Sequence, residues 1–195
     1  MSISLVLLVV GALLQFFLGS LWYVRDALLG RSKPNRMTFL IWAAGPFIGV
    51  AAGVTTGGGW ALLPVFMAGF GPLAIFLASF WNPEAYWKLG VLDYVCGVVA
   101  VAALVALFFV HQPLVALALA IFADGLATFP TLLKAWRYPE TETGRAYVAS
   151  FANVCIGLAV VGSYTFASAG FLFYLFVSDG ALVIATNRQL FVARR

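Results

Sequence analysis

Charge is what this chain has least of. Aspartate and glutamate together number 7, lysine and arginine 11 and histidine 1, so that 9% of the 195 residues are charged against 64% hydrophobic, and the mean hydropathy is +1.03. A soluble domain carries roughly one quarter charged residues, and scarcity on this scale excludes one. The two cysteines, Cys96 and Cys155, stand far apart in apolar sequence, and His111 is the lone histidine. Neither a zinc site, nor a disulfide framework, nor a nucleophile with its base can be assembled from that set. No metal, cofactor or catalytic residue is expected, and the chain does not read as an enzyme; the cysteines read as small buried side chains.

Long apolar runs are what the chain has instead. Seven fall between charged or turn-like breaks: Leu5–Val24, Met37–Val54, Trp60–Phe80, Gly90–Val110, Pro113–Leu133, Ala146–Tyr164 and Ala169–Ala185. A bilayer core of ~30 Å calls for about 20 apolar residues in a helix, whereas a membrane barrel would show ~10-residue alternating stretches, which are not found here. The expectation is an all-α integral membrane protein with seven transmembrane helices. The first run has no basic residue before Arg25 and is too long for the apolar core of a signal peptide, so it reads as a permanent span. Connections such as Thr55–Gly59 and His111–Gln112 are short, which leaves the function to the bundle itself.

The net charge of +4 does not imply a nucleic-acid partner, because of where the charges stand. Arg25, Arg31, Lys33 and Arg36 lie in the first connection, Lys88 follows the third run, Lys134, Arg137 and Arg145 flank the fifth connection, and Arg188, Arg194 and Arg195 form the tail. Basic residues collect on the cytoplasmic side, which places the N-terminus outside and the C-terminus in the cytoplasm of a multi-pass cell-membrane protein, read as one of a bacterial inner membrane. Anionic lipid is the expected neighbour of these charges.

Shifting the chain by 109 positions lays the stretch from Gln15 onto the stretch from Asp124, so that Arg25 meets Lys134 and Arg36 meets Arg145. Each copy reads span, basic loop, span, outer turn, span, while Gly90–Val110 belongs to neither. Residues 1–88 form a first triple-helix bundle, 89–111 a linker helix, and 112–195 a second bundle with a short tail. Three spans per copy would invert the second copy; one additional crossing restores its direction. The expected arrangement is therefore 3+1+3 with parallel repeats, an architecture that places a substrate site near the midplane between the halves.

In this layout, and in "FPTLLKAWRYPETETG" at Phe129–Gly144, the chain resembles the PQ-loop superfamily and within it the SWEET-like transporters. Thr131 stands where that family's name-giving glutamine follows the proline, and Leu21–Trp22 stand at the matching place in the first copy. The resemblance implies a small-molecule transporter working by alternating access, with prolines of the bundle helices as flexing points. Pro46 and Pro130 match as hinge or gate residues; spans one and six offer no counterpart. The sugar-carrying relatives contact substrate with an asparagine pair on spans three and seven. Here those spans offer Ala68 or a neighbour and Asp179, so a cationic or proton-linked substrate fits at least as well as a sugar.

Counting from the basic residue at each span end, Asp124 lies ten residues from Lys134, Gln15 ten from Arg25, Asp179 nine from Arg188 and Asn153 eight from Arg145. At ~1.5 Å per residue all four sit near the middle of the core. A carboxylate there costs about 2.5–3.5 kcal/mol on insertion scales, so Asp124 and Asp179 are expected to face the bundle interior. Desolvation penalises a charged carboxyl, the property that proton coupling requires. Gln15 and Asn153 serve equally as packing glue between helices. Pro130, lacking a backbone donor, bends its helix between Asp124 and the cytoplasmic mouth. Trp42 reads either as a ligand-stacking ring or as one of the interfacial aromatics, with Trp60, Trp81 and Trp87 more clearly interfacial. Asp93 reads as an interfacial residue near Lys88 that reaches water.

Other seven-span proteins fit less well. A retinal protein needs a lysine in its last helix, and Lys33, Lys88 and Lys134 all border loops. An intramembrane aspartyl protease pairs two carboxylates, but its GxGD and PAL signatures are absent, Asp179 standing in "LFVSDG". The chain's substrate-contact candidates are thus Gln15, Trp42, Asp124, Asn153 and Asp179. Its partners are a small molecule and the bilayer, with a homo-oligomer left open. A ligand-binding receptor or trafficking protein of the same superfamily is the competing function.

Overall fold

The computed structural model describes residues 2–55, 63–110, 112–162 and 164–192. His111, Trp60, Arg194, Arg195 and most of the Thr55–Gly59 turn lie outside the described residues. Those described form seven helices and no strand: α1 Ile3–Leu28, α2 Arg36–Thr55, α3 Leu63–Ala78, α4 Val91–Ala106, α5 Pro113–Arg137, α6 Gly144–Val160 and α7 Phe166–Val192. Ile3–Leu28, Ala118–Arg137 and Ala169–Arg188 are long and apolar enough to cross a membrane; the shorter apolar helices include Phe66–Ala78, Val91–Ala106 and Gly144–Val160.

Local chemistry explains where the helices begin and end. The Ser2 hydroxyl accepts the Leu5 amide at 3.3 Å to cap α1. Pro113, whose missing N–H costs nothing in a first turn, opens α5. Asn35 caps α2, its Oδ1 accepting the amides of Met37 and Thr38. After α1 the chain turns through Gly30 at φ 70°, a left-handed conformation that side chains other than glycine rarely adopt. Within α1, Gln15–Ser20 is one π-helical turn. Such a turn inserts an additional residue into the helical repeat and so redirects the side chains around it.

The outward faces are apolar. On α4, Val91, Val95 and Val98 follow one another at helical spacing, are 80%, 54% and 65% exposed, and give water nothing to bond. The same helix turns Cys96, Gly97, Ala100 and Ala103 inward. Cys96 is buried, Cys155 is half-buried and both are free.

Packing follows a pattern that repeats. α3 packs against both α1 and α2, and α7 packs against both α5 and α6. Between these triplets α1 meets α6 and α2 meets α5, a reciprocal exchange, while α4 rests on α2 and α5. The α1–α6 contact is close because Gly19 leaves room: a Cβ there would stand 3.1 Å from the Ala149 Cβ and 3.3 Å from the Ala146 carbonyl.

Candidate functional site

A chamber lies where the two triplets meet. One lobe is bounded by Gln15, Trp42, Pro46, Asp124 and Asp179 among others. A second lobe shares Gln15, Pro46 and Asp124 with it, takes in Asn153, and continues past Leu8, Ala120, Gly157 and Leu172. Ala68 lines both lobes. Every substrate-contact candidate read from the sequence therefore borders this space.

Two hydrogen-bonded chains hold the polar groups on its walls. In the first, Asn153 Nδ2 donates to Gln15 Oε1 at 2.7 Å, Gln15 Nε2 to Ser150 Oγ at 3.2 Å, and Ser150 Oγ to Asp179 Oδ2 at 2.7 Å. It ties α1 to α6 and α7. In the second, Trp42 Nε1 donates to Thr128 Oγ1 at 3.1 Å, and the Tyr174 hydroxyl donates to Asp124 Oδ2 at 2.7 Å. Thr128 Oγ1 lies 3.4 Å from that same carboxylate oxygen and 3.3 Å from the Tyr174 hydroxyl. This chain ties α2 to α5 and α7. In each carboxylate the bonds fall on Oδ2, and Oδ1 has no protein donor among the described residues.

Trp42 is partly buried and packs against the core of the bundle. Its ring meets Phe39 edge-on at 5.2 Å and Tyr147 at 6.5 Å, and Tyr23 stands 5.0 Å from Phe39. These four rings border the first lobe.

Below them lies a cluster that the sequence did not announce. Glu142 accepts the hydroxyls of Tyr23 at 2.5 Å and Tyr147 at 2.6 Å, and pairs with Lys134. Lys134 Nζ also donates to the Lys33 carbonyl. The Lys33 amide donates to the Thr141 carbonyl at 2.8 Å, and the Thr143 hydroxyl to Asp26 at 3.0 Å, so the loops after α1 and α5 are stitched together. Lys134 was expected at a span border; α5 continues to Arg137 and leaves it 3% exposed.

Asp93 also departs from expectation. It is buried, not at a water boundary, with Oδ1 accepting Asn35 Nδ2 and Oδ2 accepting the Gly90 amide at 2.6 Å. Its work is to join the start of α2 to the start of α4, away from the chamber.

Pro130 lies inside α5 without ending it, and does not line the chamber. The Thr38 hydroxyl donates to the Ala127 carbonyl at 2.7 Å, next to the carbonyl of Leu126 that Pro130 leaves without its helical donor. Thr131 in turn donates to Thr38 at 2.8 Å. Pro46 lies inside α2 and lines both lobes, and Pro72, inside α3, lines one. In the 109-residue register the π turn Gln15–Ser20 ends immediately before Leu21, the position matching Pro130. The two corresponding helices are thus both irregular at the same place, by different means.

Ser150, Thr128 and Tyr174 escaped the sequence reading, although Ser150 and Thr128 each lie one helical turn from a residue already singled out. No family model, no curated protein and no solved structure matches the chain.

Proposed function

We propose that this protein is a multi-pass membrane transporter of small molecules, built as two parallel triple-helix bundles joined by α4, with the PQ-loop or SWEET-like layout and alternating access to the chamber. The observation that carries the reading is the chamber itself, lined by polar groups of α1, α2, α5, α6 and α7 at the seam between the triplets. Parallel-repeat carriers hold their substrate in such a seam. The reciprocal packing of α1 on α6 and α2 on α5 supports the repeat. The buried Lys134–Glu142 cluster, with the stitched loops around it, supports a closed gate on the side of the basic loops, which is the cytoplasmic side by charge.

In this reading the α5 segment around Pro130 and the π turn of α1 are the places where the gate flexes, with Pro46 and Pro72 flexing the facing helices. Asp124 and Asp179 carry substrate or a coupled proton. A receptor that binds in the same chamber without passing its ligand would share all of these features.

Purified protein in sealed vesicles, supplied with candidate solutes under an inward proton gradient, separates the two. Saturable uptake establishes a carrier. Saturable binding with no accumulation of any bound solute establishes a receptor and removes the transport proposal.

A further inference from the structure

We infer that the chamber takes an organic ammonium ion with an apolar or aromatic body, the cationic nitrogen lodging between Asp124 and Asp179 and the body against Trp42, Phe171 and Leu175. This deepens the proposed function and rests on the chamber being the substrate site.

The first ground is charge. Among the described residues Asp124 and Asp179 are the charged ones bordering the two lobes, and no lysine or arginine borders either. The nearby cations are engaged elsewhere. Lys134 holds Glu142, and Arg36 donates to the Ser79 carbonyl at 2.6 Å while lying over the rings of Phe80 and Tyr86. An anion entering this space meets two carboxylates and no compensating charge, at an interior dielectric where each repulsion is strong.

The second ground is the hydrogen-bond inventory. A sugar or other neutral polyol needs donors as well as acceptors on the walls. The hydroxyls of Ser150, Tyr23 and Tyr147 and the indole N–H of Trp42 already donate to protein oxygens. Ser20 also borders the lobe and Gln15 and Asn153 each keep a second amide N–H, but the strongest unused groups among the described residues are the Oδ1 acceptors of Asp124 and Asp179, the latter 7% exposed. Two free carboxyl acceptors match the several N–H groups of an ammonium, whose positive charge favours their ionised form in a charge-assisted pairing.

The third ground is the remaining wall. Trp42, Phe171 and Leu175, each partly exposed, give aromatic and apolar surface for an ammonium group and whatever the nitrogen is attached to, while Phe39, Tyr23 and Tyr147 are buried behind them. A bare metal ion would find neither the six or more oxygens that hard cations require nor, among the described residues, any group of three or more candidate ligands.

The test compares three probes of one shape on the purified full-length protein in detergent: 2-phenylethylammonium, neutral 2-phenylethanol and anionic 3-phenylpropionate, each titrated by calorimetry. The expected result is saturable binding of the ammonium alone. Asp124→Asn and Asp179→Asn should each weaken it about ten- to hundred-fold, and Trp42→Ala about ten-fold. Thermal unfolding of each variant shows whether it is folded, and any one folded aspartate variant is sufficient for the comparison. Absence of ammonium binding, equal binding of the alcohol, or full affinity in a folded aspartate variant overturns the inference. Ammonium binding without vesicle uptake sinks transport and leaves this inference standing; uptake of a neutral solute without ammonium binding does the reverse.

Discussion

Lys134 and Glu142 pair at 2.5 Å with side chains that are 1% and 0% exposed, and the two tyrosines that also reach Glu142 come one from each triplet. One carboxylate thereby ties α1, α5 and α6 at the loop end of the chamber. Desolvating two charges is costly, and their attraction offsets that cost only while both are present.

Removing both partners should therefore cost less than the two single removals added together. Glu142→Gln and Lys134→Met are each expected to destabilise the protein by about 3–5 kcal/mol, and the double variant by clearly less than the sum. Thermal unfolding in a fixed detergent measures all three. A double variant as unstable as the two singles combined would mean that the charges act independently.

The chain running from Asn153 through Gln15 and Ser150 to Asp179 makes Ser150 its middle link. Ser150→Ala removes the acceptor of Gln15 Nε2 and the donor to Asp179 Oδ2 and is expected to cost about 1–3 kcal/mol of stability. A double-mutant cycle with Gln15→Ala should return a coupling of about 0.5–3 kcal/mol. A coupling of zero would show that the chain does not act as one unit.

Gly19 sits where α1 crosses α6. Gly19→Ala, despite the better helix propensity of alanine, should destabilise by about 1–3 kcal/mol, because the atoms it meets include the Ala146 backbone, which cannot rotate away. Gly45, whose added Cβ would meet nothing within 4 Å, is the control: Gly45→Ala should be neutral or stabilising. Equal unfolding temperatures for the two variants would refute the close-packing argument.

If α5 flexes at Pro130, replacing it should slow turnover without weakening binding. Pro130→Ala is expected to lower vesicle uptake at least several-fold while the affinity for a bound solute changes little. Loss of affinity with an unchanged maximal rate would place Pro130 in binding and not in the gate.

Asp124→Asn keeps the shape of the side chain and removes its charge and its proton. Under the carrier reading, uptake driven by a pH gradient should fall at least ten-fold while the unfolding temperature stays close to that of the parent. Normal gradient-driven uptake in the variant would show that no coupled proton passes through this residue.

The sequence by itself determined the helical class, the positions of the described helices to within about four residues except at the end of α7, which runs to Val192 where Ala185 was expected, and how far Gln15, Asp124, Asn153 and Asp179 stand along their helices from the terminal basic residues. Each is a one-dimensional property: the length of an apolar run, the rise of a helix, the distance from a terminal basic residue. Only the tertiary structure decided what those groups touch. Ser150 and Thr128 are as polar as many exposed residues, and nothing in their spelling says that one bridges Gln15 to Asp179 and the other Trp42 to Asp124. Asp93 and Lys134 look interfacial because they stand near span ends, yet Asn35 and Glu142, brought to them by helix packing, let both be buried. The π turn at Gln15–Ser20 carries no proline to mark it. Rotation about a helix axis, unlike position along it, is set by neighbours distant in the chain, and that is why partners in the chamber wall had to be seen in three dimensions.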